Sequence, residues 1–331
     1  MVRLDSFGDV LLAGPAVRAV AEHADHVTLL CGPAGAAAGR LLPGVDEVLT
    51  WAAPWEGFNP PDVRQADVVG TAERLREARF DAGLILTSYH QSPLPTALML
   101  RLAGVPYLGA DSEDHPGRLL DVRHRRLPDR HEAQAALDTA AAMGFTPRAR
   151  DDGRLRVLPA PDTATLTGNG PYVVVHPGAS VAARAWPPER CREAVELLAD
   201  SGYRVVVTGG PEETGLTRRV SAGVAVDLGG RTDARTLSGV LRLADALVCG
   251  NTGPAHLAAA VGTPVVSLFS PVVPAARWRP YGVPLVLLGD QDAACAGSRA
   301  RDCPVPGHPC LSEVTAQDVR RAVHKILQEA R

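Results

Sequence analysis

Short hydrophobic runs alternate with longer amphipathic stretches along most of the chain. The clearest runs are rich in Val, Leu and Ile, and they occupy residues 26–31, 81–87, 172–176, 204–208, 246–249 and 264–269. Nearly continuous hydrophobicity of this kind is expected of parallel strands in a sheet that helices cover on both faces. The segment before the first loop, residues 1–4, is shorter than the ~5–6 residues of a typical strand.

Amphipathic segments between these runs predict helices. They cover residues 10–22, 72–79, 95–103, 132–143, 188–200, 234–244 and 254–261, and a further helix is expected at 316–329. Regular alternation of strands and helices is typical of an α/β doubly wound fold. The alternation stops at 147–170, which is rich in Pro, Gly, Asp and Thr. We therefore predict two Rossmann-like doubly wound domains, 1–160 and 161–331, facing a central cleft. The last helix is a candidate to pack back on the N-terminal domain.

Composition narrows the class of protein. The 331 residues exceed what one hydrophobic core usually supports, and a hydrophobic content of 46% excludes a disordered chain. A net charge of -3 argues against nucleic-acid binding. No apolar run reaches the ~20 residues that span a bilayer. We expect a soluble, cytoplasmic monomer without an integral membrane segment.

Asp9 lies where the first strand should turn into the first helix, in the segment RLDSFGDV at residues 3–10. A carboxylate at the carboxyl edge of a parallel sheet suits a general base. The alternative is that Asp9 caps the helix by accepting its free N–H groups. Asp5 is a candidate for either role.

The segment HPGASVAARAWP, residues 176–187, follows a strand of the second half. Gly178 allows close approach of the backbone to a ligand, while Ser180 offers a hydroxyl and Arg184 a guanidinium for phosphate oxygens. The alternative is an ordinary loop with a solvated arginine.

The segment GGPEE, residues 209–213, follows the next strand. Gly210 precedes Glu212 and Glu213, and a glutamate at the end of such a strand can accept hydrogen bonds from ribose hydroxyls. Acidic residues after Pro211 are explained equally well by the start of a helix.

The segment GNTGPAHLAAAVGTP, residues 250–264, is the most specific. Pro254 marks the first turn of a helix that Asn251 or Thr252 would cap. Gly253 lies between these candidate caps and Pro254. The free N–H groups and the positive dipole end of such a helix form an anion site suited to a diphosphate. His256 lies in the same turn, either as a core histidine or on the ligand side.

Taken together, these segments resemble glycosyltransferase family 9, the ADP-heptose:lipopolysaccharide heptosyltransferases, which have the GT-B fold. The G-x-G-x-x-G fingerprint of dehydrogenases is missing. The resemblance extends over nearly the whole chain and is carried by RLDSFGDVLLAGPAVRAV (3–20), LLPGVDEVL (41–49), HPGAS (176–180), WP (186–187), GGPEE (209–213) and NTGPAHLAAA (251–260).

The resemblance implies roles for individual residues. The family's general base falls on Asp9, and its phosphate-binding lysine falls on Arg184. Because Lys325 is the single lysine, an arginine at this position preserves phosphate binding with a different geometry. The family's D-T-G-x-x-H motif begins here with Asn251 in place of the aspartate. Positions that would hold phosphate, ribose and adenine are Ser180, Glu212 or Glu213, and the backbone near Thr232.

The implied activity is an inverting, metal-independent transfer of heptose from ADP-heptose, without a cofactor, to a hydroxyl of a lipopolysaccharide core or a small natural product. The N-terminal domain would bind the acceptor, with Trp55 and His90 as candidate contacts, and the C-terminal domain would bind the donor. The alternatives are a GT-B-type sugar-nucleotide epimerase or hydrolase, and a catalytically inactive nucleotide-sugar-binding protein.

Two remaining segments are locally unusual. Cys295, Cys303, His308 and Cys310 contain no C-x-x-C pair, which favours reduced thiols in a surface loop over a zinc site. Residues 117–130 are basic, and we interpret them as a mobile interdomain or lid loop, with an anionic acceptor or membrane surface as the alternative ligand.

Overall fold

The computed structural model describes residues 1–57 and 59–329, and the chain divides into two units, Met1–Leu158 and Pro159–Arg331. In the described part of the first unit, six strands form a parallel sheet. These strands are β1 (Val2–Arg3), β2 (Thr28–Cys31), β3 (Glu47–Thr50), β4 (Ala82–Ile85), β5 (Tyr107–Asp111) and β6 (Val122–His124). The helices of this unit are α1 (Phe7–Leu12), α2 (Gly14–Ala21), α3 (Ala36–Gly39), α4 (Gln65–Glu77), α5 (Leu94–Leu102) and α6 (Glu132–Ala142).

The second unit also has a six-stranded parallel sheet within its described residues. Its strands are β7 (Val173–His176), β8 (Val205–Val207), β9 (Val226–Asp227), β10 (Ala246–Gly250), β11 (Val265–Leu268) and β12 (Leu285–Leu288). Its helices are α7 (Ala164–Thr167), α8 (Pro188–Asp200), α9 (Thr214–Ser221), α10 (Ala234–Arg242), α11 (Gly253–Val261), α12 (Ala275–Trp278), α13 (Pro309–Ser312) and α14 (Ala316–Glu329). Short 3₁₀ helices cover Ala182–Arg184 and Pro211–Glu213.

Both sheets have the same strand order. The first runs β3-β2-β1-β4-β5-β6 and the second runs β12-β11-β10-β7-β8-β9. When the strands are numbered within each unit and the second sheet is read from its β9 edge, both orders are 3-2-1-4-5-6, the order of the doubly wound Rossmann fold. The order reverses between β1 and β4 in the first unit and between β7 and β10 in the second. Ligands of such sheets bind at this switch point, beyond the carboxyl ends of the strands.

The predicted α/β class and the strands expected from the hydrophobic runs are confirmed. Five strands were not predicted. Four of them, β3, β6, β9 and β12, form the sheet edges and are partly exposed, which breaks the apolar pattern. The fifth, β5, is an inner strand whose sequence YLGAD contains a glycine and ends in an aspartate, which shortens its apolar run. The single helix predicted at 10–22 is wrong. Pro15 stands in the first turn of α2, and because proline lacks the N–H that a continuous helix would need, α1 and α2 are separate.

The structure corrects the interpretation of the basic loop and of the cysteine segment, and it shows which core the last helix joins. Residues 122–124 form β6, which pairs with β5, so the lid-loop interpretation of 117–130 is wrong there. Cys295 and Cys310 are buried in the core of the second unit, so they do not lie in a surface loop. Apolar residues of α14 belong to the same core. In the described part of the chain, no helix combines the length and apolar character needed to cross a bilayer.

Candidate active site

The candidate residues of the first unit lie at its switch point. Arg3 ends β1, and β1 pairs with β4, where Val2 lies opposite Ile85. The loops that follow these two strands are therefore neighbours, and they carry Asp5 and Ser88. The guanidinium of Arg3 donates a hydrogen bond to the Ser88 hydroxyl at 3.1 Å.

Arg3 is buried and surrounded by carboxylates. Its side chain is 3% exposed, and its nitrogens lie 3.2 Å from Asp5 Oδ1, 3.3 Å from Asp9 Oδ1 and 3.9 Å from Glu132 Oε2. Burying several carboxylates together is costly, and the positive charge of Arg3 offsets part of their negative charge.

A second guanidinium completes this charged cluster. Arg126 donates to Asp111 Oδ2 at 2.6 Å, to Glu132 Oε1 at 2.5 Å and to the carbonyl oxygen of Thr87 at 3.0 Å. The cluster thus joins the ends of β1, β4, β5 and β6 to the start of α6. Its carboxylates, Asp5, Asp9, Asp111 and Glu132, outnumber its two guanidinium groups.

Asp9 lies in the first turn of α1, and the N-cap residue of that helix is Ser6. Asp9 is therefore not the N-cap residue itself, and its Oδ2 accepts a hydrogen bond from the Ser6 hydroxyl at 2.7 Å. The Asp9 side chain is 17% exposed, compared with 8% for Asp5, 10% for Asp111 and 1% for Glu132. Of the carboxylates in the cluster, Asp9 is the most accessible to a reactant.

Burial perturbs two carboxyl groups near Arg3, those of Asp5 and Glu56. Burial raises the pKa of Asp5, even though Arg3 opposes this shift and Ser88 donates to Asp5 Oδ2 at 2.9 Å. Burial, together with the charge of Asp5, raises the pKa of Glu56 to about 7. Glu56 Oε1 accepts a hydrogen bond from Gln91. Excess negative charge in the cluster is thus accommodated by carboxyl groups that hold protons more tightly than usual.

The candidate acceptor contacts lie in the same unit. The Trp55 indole donates to the Thr96 hydroxyl at 3.0 Å and packs edge-on against Trp51, with ring centroids 5.0 Å apart. His90 is exposed, and its ring lies edge-on to Tyr89 at 5.4 Å. Trp55 is therefore held by packing next to Glu56, whereas His90 lies in the segment that follows β4.

The switch point of the second unit brings together the loops after β7 and β10. These strands pair with His176 opposite Cys249, so the segment 177–185 lies beside the segment 251–253. Gly250, at the end of β10, fits because it has no side chain: a Cβ there would lie 2.8 Å from the carbonyl oxygen of Arg184. This close approach places the backbone of Arg184 next to Asn251.

The side chain of Glu213 lies against the loop that follows β7. One of its carboxylate oxygens accepts the Gly210 N–H at 2.7 Å and lies 3.9 Å from His176 Nε2. Its carboxylate occupies the space that a Cβ on Gly178 would need. Burial lowers the pKa of His176, whose Nδ1 lies 3.0 Å from the Thr208 hydroxyl. The structure therefore brings Glu213 to this loop, while Glu212 is exposed.

We expect Gly178→Ala to displace the Glu213 carboxylate, because the new Cβ would overlap it. Glutamate is flexible, so the fold should remain, but the hydrogen bond to Gly210 would be lost. The free energy of unfolding should fall by about 1.5 kcal/mol, the lower end for a charged hydrogen bond on a partly exposed group. Urea unfolding measures this change.

Gly215→Ala is the matched control for Gly178→Ala. Gly215 lies in α9 with open space around its Cβ position. Alanine there should leave stability unchanged or raise it by up to about 1 kcal/mol through helix propensity. Equal stabilities of the Gly178→Ala variant and the unmodified protein would show that Glu213 is not held against Gly178.

Asn251 is the most unusual polar residue of the second site. Its side chain is buried at 6% exposure, and within the described residues neither its amide oxygen nor its amide nitrogen has a hydrogen-bond partner. A buried amide normally finds partners, since leaving one without them costs free energy. Asn251 immediately precedes Thr252, the N-cap of α11, so a ligand at this helix N-terminus would meet an amide ready to bond.

The other residues expected to bind the donor lie around this switch point or on nearby turns. Gly253 begins α11, and His256, in its first turn, is buried. Ser180 is exposed in the loop after β7, and Thr232 is half-buried just before α10. In the described part of the chain, no group of three His, Cys, Asp or Glu side chains is arranged to hold a metal ion.

Comparisons with known proteins agree with this architecture. Lipopolysaccharide heptosyltransferase 1 of Escherichia coli O18:K1:H7 (strain RS218) is 26% identical over 302 residues, covering 89% of this chain and 84% of that protein. The solved glycosyltransferase family 9 protein of Veillonella parvula has a TM-score of 0.77 at 19% identity, covering 99% and 96% of the two chains. An E. coli heptosyltransferase solved with ADP-2-deoxy-2-fluoro heptose has a TM-score of 0.71 at 22% identity, covering 98% of both.

The fold is the GT-B fold of glycosyltransferases. The model of glycosyltransferase family 9 (heptosyltransferase) matches residues 68–308, most of the length of the chain. The protein belongs to this family and is a glycosyltransferase. The family assignment supports group transfer over epimerisation, hydrolysis or binding without catalysis.

Proposed function

We propose that the protein transfers heptose from ADP-heptose to an acceptor hydroxyl, with inversion at the anomeric carbon and without a metal ion. The observation that carries the proposal is the state of Asp9, the most accessible carboxylate of a buried cluster at a switch point. A general base needs this combination of a fixed position and access to the proton that it removes.

The donor would bind at the switch point of the second unit. The unpartnered amide of Asn251 and the N-terminus of α11 offer hydrogen bonds to a sugar nucleotide, and Arg184 offers a guanidinium to the diphosphate. Glu213 lies near enough to the same loop to accept hydrogen bonds from a ribose. The structural relative bound to an ADP-heptose analogue supports this choice of donor.

The proposed reaction is a single displacement. Asp9 takes the proton of the acceptor hydroxyl as its oxygen forms a bond to the anomeric carbon of the heptose. The bond between that carbon and the phosphate oxygen breaks, and ADP leaves with the electron pair. Arg184 and the N-H groups of α11 stabilise the negative charge of ADP, which removes the need for a metal ion in this proposal.

ADP release from ADP-heptose tests the proposal, with lipopolysaccharide-core oligosaccharides and small polyhydroxylated natural products as acceptors. We expect release that depends on acceptor, persists in a chelator and gives a product of inverted configuration by NMR. Release without any acceptor would indicate a hydrolase. Retained configuration or loss of activity in the chelator would contradict the inverting or the metal-independent part of the proposal.

Arg184→Ala should weaken ADP binding, because the diphosphate would lose a charge-assisted hydrogen bond worth about 1.5–3 kcal/mol. That loss corresponds to roughly a 10- to 150-fold rise in Kd, measured by calorimetry. Arg190→Ala is the control, because Arg190 pairs with Glu193 on the exposed side of α8. Equal ADP affinities of the Arg184 and Arg190 variants would remove Arg184 from the donor site.

A further inference from the structure

Arg3 links the proposed base, Asp9, to the central strand of the first sheet. It ends β1, which lies between β2 and β4 in the middle of the sheet, and its side chain is buried. Ser88, on the loop that follows the neighbouring strand β4, accepts a hydrogen bond from the guanidinium. A side chain held in this way has few rotamers available, so the position of its charge is fixed.

Two contacts fix the Asp9 carboxylate from opposite sides. Arg3 Nη2 lies 3.3 Å from Oδ1, and the Ser6 hydroxyl donates to Oδ2 at 2.7 Å. The orientation of Asp9 is thereby set before any substrate binds.

The charge of Arg3 also acts on the protonation of Asp9. A cation within ~4–6 Å of a carboxylate favours its ionised form. The other charged groups facing this region are Asp5 on the loop after β1, Glu132 on α6, Arg126 on the loop after β6 and Glu56 on the loop after β3. Of the helices packed on α1, α3 carries only Ala and Gly, and Arg18 of α2 is directed at Asp151.

Among these groups, Arg3 is the cation nearest to Asp9. Asp5 and Glu132 are carboxyl groups and oppose the ionisation of Asp9 when they are charged. Arg126 is engaged by Asp111 and Glu132, at 2.6 and 2.5 Å. The charge of Arg3, 3.3 Å from Asp9, therefore acts in favour of the ionised carboxylate.

We propose that Arg3 is a positioning residue that orients Asp9 and keeps it ionised in the acceptor-free enzyme, a role that rests on the proposed function of Asp9 as the base. Arg3 itself touches no reactant in this proposal and acts only through the carboxylate. Arg3 ends β1 and Asp9 lies six residues later in the first turn of α1, so one short segment of chain carries both the base and its cation.

Titration of the Asp9 carboxyl carbon tests this role without needing an acceptor. The protein is labelled with ¹³C-carboxyl aspartate, and the Asp9 signal is the one that Asp9→Asn removes. The titration midpoint of Asp9 in the unmodified protein is the reference with which the Arg3 variants are compared.

Arg3→Gln should raise the titration midpoint of Asp9 by about 1–3 pH units, since the ionised carboxylate loses its cation. Arg3→Lys keeps the charge but not the forked contact, so a smaller rise is expected. Arg18→Gln is the control: it removes another largely buried arginine of the same unit, paired with Asp151, and should leave the midpoint unchanged. An unmoved midpoint in Arg3→Gln would show that Arg3 is only structural.

A double variant separates failure of this inference from failure of the proposed function. If Arg3 acts through Asp9, adding Arg3→Gln to Asp9→Asn should lower the transfer rate little beyond Asp9→Asn alone. A fully active Asp9→Asn enzyme would overturn the base itself. A strongly slowed Asp9→Asn enzyme whose residual rate Arg3→Gln lowers by its full single-variant factor would overturn only the role of Arg3.

Discussion

Asp9→Asn is expected to lower the turnover number by about 10²–10⁴-fold, the usual loss when a general base is removed. The amide has nearly the same shape as the carboxylate, and it can still accept the hydrogen bond from Ser6. Arg3 keeps Asp5 at 3.2 Å, so its charge remains paired. Steady-state rates of ADP release with a fixed acceptor measure the effect.

The fold and the donor site should survive this substitution. The cluster around Arg3 contains more carboxylates than guanidinium groups, so loss of one negative charge relieves repulsion on Asp5. ADP affinity should stay within about twofold, because Arg184 and Asn251 are untouched (a twofold change is about 0.4 kcal/mol). Asp5→Asn is the companion variant. Near-normal turnover of Asp9→Asn with an inactive Asp5→Asn enzyme would move the base to Asp5.

Trp186→Ala should produce the largest loss of stability, about 3–5 kcal/mol. The indole is 3% exposed in the core of the second unit. Its Nε1 donates to the carbonyl oxygens of Leu311 and Val314, at 3.1 and 3.3 Å. Removing the ring leaves a cavity and two carbonyl groups without this donor. Urea unfolding followed by circular dichroism measures the change in the free energy of unfolding.

Because Trp186 follows Arg184 by two residues, the same variant should also weaken ADP binding. Trp186→Phe is the matched comparison, since it keeps most of the ring volume and loses only the hydrogen bonds. We expect its stability to lie between those of the unmodified protein and Trp186→Ala. Two variants of equal stability would show that the hydrogen bonds, and not the packing of the ring, account for the effect.

Much of the fold could be predicted because buried parallel strands have a strong sequence signature. Val173–His176 and Val265–Leu268 are buried along their whole length, and both were predicted from hydrophobicity alone. Edge strands such as Val122–His124 have one open side and carry polar residues, so their sequence resembles that of a loop. The break between α1 and α2 was indicated by Pro15, which outweighed the amphipathic pattern.

The two sites differ in how much of each the sequence could predict. The candidate donor site consists of short contiguous motifs, which place Gly178 and Asn251 at strand ends. The cluster around Asp9 also contains Arg126 and Glu132, which lie far from Asp9 in the chain and belong to no motif. The positions of Asp9 and Asp5 were predicted, but their shared cation was not. A buried arginine at the end of a central strand was the available signal.

The short strand β1 has a consequence for the order of events during synthesis. The strand lies between β2 and β4, so its second neighbour is made only when the ribosome has passed Ile85. The charge of Arg3 needs partners that are made still later, because Glu132 begins α6. Until then, burying Arg3 would leave part of its charge uncompensated. We therefore expect the middle of the first sheet to close late and cooperatively, so that the carboxylates around Arg3 come together in the step that completes the unit.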